Sequence, residues 1–134
     1  MPRILLVEDE LPFRRILTLN LAHAGYTIGE ADSVETAFEM FTAAREVGYP
    51  FDLIVLETHL PDRCGWDLLR LLRAGQASGA PGAAMPPLIV ISPLPVTAGR
   101  LAEFAPVATL LKPFPIEALL RLVERSWRQA SVSA

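Results

Sequence analysis

Glu8, Asp9 and Glu10 directly follow a short apolar run, Ile4–Val7, and Glu57 directly follows another, Leu53–Leu56. Ser92 comes straight after a third run, Leu88–Ile91, and Lys112, with Pro113 behind it, closes a fourth, Val107–Leu111. Carboxylates gathered from two such runs repel one another unless a cation sits among them, and hard oxygen donors select a hard ion. Mg2+ suits Glu8, Asp9 and Glu57 because it accepts a few carboxylates, keeps some of its waters and leaves room for a phosphoryl oxygen. Ser92 and Lys112 bring a hydroxyl and a compact ammonium to the remaining oxygens of such a group. Of the 12 basic residues 11 are Arg, so Lys112 is the single Lys and stands where a point charge is wanted.

That chemistry requires elements that bring the ends of the runs to one edge. Ile4–Val7, Leu53–Leu56 and Leu88–Ile91 are apolar at every position, the pattern of strands covered on both faces in a parallel sheet. Tyr26–Glu30 and Val107–Leu111 read as two further strands. Between them lie amphipathic stretches. Phe13, Ile16, Leu17, Leu21 and Ala24 recur at helical spacing and Gly25 is placed to end the helix. Asp32 with Glu35 reads as a helix start, ahead of Val34, Ala37, Phe38 and Phe41. Gly65–Arg73 and a stripe of Ile116, Leu119, Leu120, Val123 and Trp127 read as two more helices, the last with Pro115 in its first turn. Val96–Phe104 is a short fifth. Alternating strands and helices predict an α/β fold with helices on both faces of a parallel sheet, and such folds hold ligands at the carboxyl ends of their strands. Acidic residues after strands also serve as helix caps, a role open to Asp9 ahead of Pro12.

Composition narrows the class. The net charge of −3 without a Lys/Arg cluster argues against direct nucleic-acid binding. The single cysteine, Cys64, forms no internal disulfide. The apolar run after Arg3 is too short for a signal peptide, and Pro81, Pro86, Pro87, Pro93 and Pro95 interrupt the uncharged stretch 74–99, so no membrane span is expected and the expected location is the cytoplasm. That stretch divides into a long loop (74–87), a buried strand and a stiffened loop after Ser92. No phosphate-loop or Gly-x-Gly-x-x-Gly motif occurs. Arg121, Arg125 and Arg128 share a solvated face of the last helix, and Cys64 and His23 read as surface residues.

Four ordered motifs, VEDE (7–10), DLIVLETHLPDRCG (52–65), LIVISP (88–93) and LLKPF (110–114), resemble the receiver domain of bacterial two-component response regulators. The resemblance runs from residue 3 to about residue 128, giving a receiver domain over 1–130 and a short tail at 131–134. It implies a flavodoxin-like (βα)5 three-layer sandwich with a five-stranded parallel sheet of order 2-1-3-4-5. It implies Mg2+ held by Glu8, Asp9, the acidic residue at position 57 and the backbone carbonyl of His59. It also implies a switch hydroxyl at Ser92, a phosphate-contacting Lys112 and a cis bond at Lys112-Pro113. Partners would be a histidine kinase or a downstream effector, with a homodimer through the fourth helix, fifth strand and fifth helix as a further family use.

The departures from the family carry information. The family's phospho-acceptor is Asp, and here it is Glu57. One added methylene displaces the carboxylate by roughly 1 Å, enough to cost an in-line attack ~100-fold. The same reach carries a fixed charge toward Ser92 and Lys112, −1 where a phosphate brings about −1.5 to −2. Thr109 replaces the aromatic expected three residues before the Lys, and Pro93 stiffens the loop after Ser92. Together these describe an atypical receiver, not an enzyme, that binds its partner without phosphorylation. The alternative is a receiver still phosphorylated at Glu57, with slow phosphotransfer and autodephosphorylation.

Overall fold

Alternate residues of the central strands point to opposite faces of the sheet, and both faces are apolar. Leu5, Val7, Ile54, Leu56 and Val90 join Val34, Phe41, Leu68, Leu72 and Phe104 in one buried cluster. Ile4, Leu6, Leu53, Val55, Ile89 and Ile91 join Leu17, Leu21, Leu119 and Val123 in the other. The computed structural model describes residues 2–76 and 85–133. Its elements are β1 (Arg3–Val7), α1 (Leu11–His23), β2 (Thr27–Ala31), α2 (Val34–Glu46), β3 (Leu53–Glu57), α3 (Trp66–Gln76), β4 (Leu88–Ser92), α4 (Ala98–Phe104), β5 (Ala108–Leu111) and α5 (Ile116–Ser133). The five strands are all parallel in the order β2-β1-β3-β4-β5. Helices α2, α3 and α4 cover one face and α1 and α5 the other, the three-layer α/β sandwich expected.

Register decides what meets at the carboxyl edge. Val7 pairs with Leu56, Glu57 with Ile91, and Ser92 with Leu111. Glu8, Glu57, Ser92 and Lys112 therefore leave four neighbouring strands within about two rows of one another.

Several helix ends differ from the sequence reading. The first helix starts at Leu11 with Glu10 as its N-cap and no side-chain cap bond, so Asp9 is left free of that duty. The second starts after Ser33, not Asp32: Ser33 Oγ accepts from the Thr36 N–H at 3.1 Å. The two N–H groups before it, Val34 and Glu35, donate to the carboxylate of Asp62 at 3.0 Å each. Asp62 thus caps α2 from the β3–α3 loop, a long-range bond that no local pattern encodes. The last helix continues through Ser133, so most of the expected tail at 131–134 is helical. Gly25, with φ of 103°, ends α1 as expected. The fourth helix begins at Ala98 behind a Thr97 cap. The long loop read at 74–87 falls mostly on residues 77–84, outside the described residues, and α3 itself extends to Gln76.

Desolvation raises the affinity of the Asp62 carboxyl for its proton, but the N–H groups of Val34, Glu35, Asp62 and Arg63 outweigh it and hold the group below the ordinary carboxylate value. A group lowered in this way stabilises the fold at neutral pH, and the contribution is lost as pH falls through its folded pKa. Replacing Asp62 by Ala is therefore expected to cost about 1 kcal/mol at neutral pH, with a fall of a few degrees in Tm. Urea unfolding of both proteins at descending pH checks this: the two stabilities converge in acid.

Candidate functional site

At the carboxyl edge, Lys112 Nζ lies 2.7 Å from Glu8 Oε1 and 2.7 Å from Glu57 Oε1. Glu8 and Glu57 are 0% and 3% exposed, so the ammonium is what makes their ionised forms tolerable there. Burial pushes the Glu8 carboxyl above its ordinary value, and the Lys112 ammonium and the Glu10 N–H offset this only in part. Burial would lower Lys112, but Glu57 and Glu8 outweigh it and hold the ammonium above its ordinary value. The Lys112 ammonium also sits 4.7 Å from the centre of the Phe13 ring, which packs edge-on against Phe114. The Lys112-Pro113 bond is cis, as the sequence resemblance implies.

The second oxygen of Glu57 is also engaged. Oε2 accepts from the N–H of Thr58, the next residue, at 2.8 Å. The side chain thus bends back on its own backbone, a curl that the added methylene permits. Glu57 reaches Lys112 as expected. Ser92, in contrast, is held by other groups: its Oγ accepts from the Thr58 hydroxyl at 3.1 Å and from the Leu94 N–H at 3.2 Å. Thr58 Oγ1 also lies 2.9 Å from His59 Nδ1. Thr109 is exposed on β5, one row before the site.

Gly65 lets the β3–α3 loop close against this edge. Its N–H donates to the Thr58 carbonyl at 2.8 Å, and a Cβ placed on it would fall 2.2 Å from the Glu57 carbonyl oxygen. Substituting Gly65 by Ala must push the loop away from β3, so a loss of roughly 2 kcal/mol or more is expected by chemical denaturation.

Glu8, Asp9 and Glu57 each offer a carboxylate oxygen within 4.8 Å of the others, with Asp9 exposed. An octahedral Mg2+ needs ligand oxygens about 3 to 4 Å apart, so the donor set fits with a small inward shift. Charge fits as well. Three ionised carboxylates against one ammonium leave a formal −2 for a divalent ion to balance. The Glu8 Oε1 atom is fully buried and has the ammonium beside it at 2.7 Å. His59 stands at the start of the β3–α3 loop, bridged to Cys64 across it.

Residues outside the sequence reading complete the edge. Arg14 donates from one nitrogen to the Glu8 carbonyl at 2.9 Å and from another to Glu30 at 2.9 Å, tying α1 and β2 to the acidic loop. Thr58 is the link between Glu57, Ser92 and His59. Its only signal in sequence is a hydroxyl directly after the acidic residue of β3.

This chain belongs to the response regulator receiver domain family, whose model matches residues 4–124. It is 30% identical over 131 residues to the probable transcriptional regulatory protein SilR of Salmonella typhimurium, covering 96% of this chain and 52% of the relative. The chain spans about half the length of the curated relatives it matches. Among solved structures it resembles the non-phosphorylated HemR receiver domain of Leptospira biflexa, with a TM-score of 0.76, 26% identity and 94% of each chain covered. It shares its fold with the response regulator TrrA of Thermotoga maritima, solved in complex with Mg2+-BeF (TM-score 0.74, 24% identity, 94% and 99% covered). Among the described residues no helix is long and apolar enough to cross a membrane.

A divalent ion placed among Glu8, Asp9 and Glu57 would compete with Lys112 for two of these carboxylates, so Lys112→Ala is expected to bind Mg2+ about tenfold more tightly than the unaltered chain. Isothermal titration with MgCl2 checks it, and an unchanged or weaker affinity contradicts the competition.

Proposed function

We propose that this receiver works as a protein-binding module whose site is set by Glu57 rather than by a phosphoryl group. One observation carries the reading: both oxygens of Glu57 are committed, one to the Lys112 ammonium and the other to the Thr58 N–H. An acceptor carboxylate must present a free oxygen in line with phosphorus while the ammonium and nearby N–H groups wait for the phosphoryl oxygens. Here the acceptor occupies those partners itself. It brings a permanent negative charge to the place where a phosphoryl group would bring a larger one.

On this reading the chain is not an enzyme. Mg2+ held by Glu8, Asp9, Glu57 and the His59 carbonyl would add positive charge to the acidic edge and rigidify it. The partner is a histidine kinase or a downstream effector, with self-association through α4, β5 and α5 as a second mode. The exposed Val107 and Leu111, 50% and 52% accessible beside and on β5, give that face apolar contact surface. Direct contact with nucleic acid is not proposed for this chain. The relatives named as transcriptional regulators are about twice its length.

Incubation with Mg2+ and a small phosphodonor, read by intact mass, tests the proposal. The unaltered chain is expected to show no adduct of about 80 Da. Glu57→Asp is expected to show one, because the shorter side chain gives up its bond to the Thr58 N–H, which keeps its bond to the Ile91 carbonyl, and frees an oxygen for attack. A stable adduct on the unaltered chain would overturn the proposal in favour of slow phosphotransfer at Glu57.

A further inference from the structure

Charge is distributed unevenly along the chain. Residues 58–112 carry five basic and three acidic side chains, whereas the remaining residues carry seven basic and twelve acidic ones. The positive excess concentrates on the face formed by α3 and α4. There, among the described residues, three guanidiniums share two carboxylates: Arg63 and Arg70 contact Asp67 at 3.4 and 3.1 Å, and Arg70 and Arg100 contact Glu103 at 3.4 Å each. A fourth, Arg73, meets the Glu103 carbonyl instead of a carboxylate, at 2.8 Å. The third acid of this region, Asp62, is turned away and committed to the α2 backbone. Two of these guanidiniums also lie over rings: Arg100 is 5.8 Å from the centre of Trp66, and Arg73 is 4.8 Å from that of Phe104.

Beside this basic face opens a cleft of about 460 Å³ between the β3–α3 and β4–α4 loops. Its walls are apolar (Leu60, Trp66, Leu94, Pro95 and Val96), Arg100 stands at its rim, and its floor includes Thr58 and Ser92. Leu94 is 60% exposed, a large apolar side chain open to solvent at the mouth. The volume is enough for one or two large side chains, and Thr58, His59, Ser92, Thr97 and Arg100 add polar groups to the apolar walls, as in sites that bind by apolar insertion with directional contacts.

We infer that the α3–α4 cleft docks a short acidic peptide segment of a partner protein, an apolar side chain entering between Leu94 and Trp66 and flanking carboxylates meeting Arg100, Arg70 and Arg73. Charge complementarity selects this occupant. Arg70 and Arg73 lie one and two helical turns beyond Trp66 along α3, so the basic strip outruns the cleft and matches an extended chain better than a small molecule. The floor gives the docking a meaning for the site. Thr58 and Ser92 are bonded to each other, and Thr58 donates its N–H to Glu57, so the cleft senses how the carboxylate is held. The inference rests on the reading of the chain as a binding module and names the surface and the chemistry of its partner.

The test is a random-peptide display selection on the immobilised full chain, followed by anisotropy titration of the enriched peptide and amide NMR mapping. The expected peptides place Asp or Glu beside a large apolar residue and shift resonances at Trp66 and over 94–100. Arg100→Glu and Leu94→Asp, both on the surface, are each expected to weaken binding roughly tenfold with an unchanged melting temperature. Arg121→Glu, on α5, is expected to leave it unchanged. The selection and titration are run on the untreated chain and again after Mg2+ and phosphodonor treatment, which separates the two levels. Acidic peptides enriched only on the phospho-adduct keep the docking surface and remove the phosphorylation-independent reading. Failure to enrich acidic peptides in either state, or enriched peptides insensitive to both cleft variants, overturns the docking surface and leaves that reading standing.

Discussion

The ammonium of Lys112, placed 2.7 Å from each of two buried carboxylates, is the constraint on which the rest of the site depends. Buried carboxylates are costly to ionise, and two of them side by side are costlier. One shared cation lets both stay at the sheet edge, and it lies in turn over the Phe13 ring of α1, which packs against Phe114. Elements distant in sequence thereby converge on one charge. The sheet order makes this possible, because β5 lies beside β4 and β4 beside β3, so the end of β5 overlooks the acidic end of β3.

Glu57, at the end of β3, meets that charge with one oxygen only. The longer side chain spans from β3 to the ammonium while its second oxygen turns back to the Thr58 N–H. On the proposed reading, a carboxylate bound at both oxygens is a structural strut rather than a waiting nucleophile. The switch hydroxyl is likewise occupied, between Thr58 and Leu94. Pro93 and the exposed Thr109 leave the β4–α4 loop and β5 without the small residue and the movable aromatic that the family pattern would supply. On the proposed reading, each departure removes a part of the relay that the family pattern implies.

Much of this architecture is legible in the sequence. Three strands apolar at every position announce a parallel sheet covered on both faces, and the residues at their carboxyl ends, with the one closing the fifth strand, gather Glu8, Asp9, Glu57, Ser92 and Lys112 at one edge. The hidden part depends on contacts between residues far apart in the chain. Asp62 reads locally as a loop residue, yet it caps α2 from 27 and 28 residues away. Arg14 reads as the polar face of α1, yet it braces the acidic loop against Glu30. Thr58 looks incidental until β3 and β4 are in register and its hydroxyl meets Ser92. The start of α2 lies one residue beyond the expected cap because Asp32 and Ser33 are both good caps, and only tertiary packing chooses between them.

A site set by Glu57 requires that Glu57 and Lys112 hold each other in solution. A double-mutant cycle with Glu57→Gln and Lys112→Met, measured by urea unfolding in metal-free buffer, tests this directly. A buried, charge-assisted contact predicts a favourable coupling of about 1 to 3 kcal/mol between the two positions. Additive effects, with a coupling near zero, would mean that the carboxylate is not restrained by the ammonium and would contradict the proposal that Glu57 sets the site.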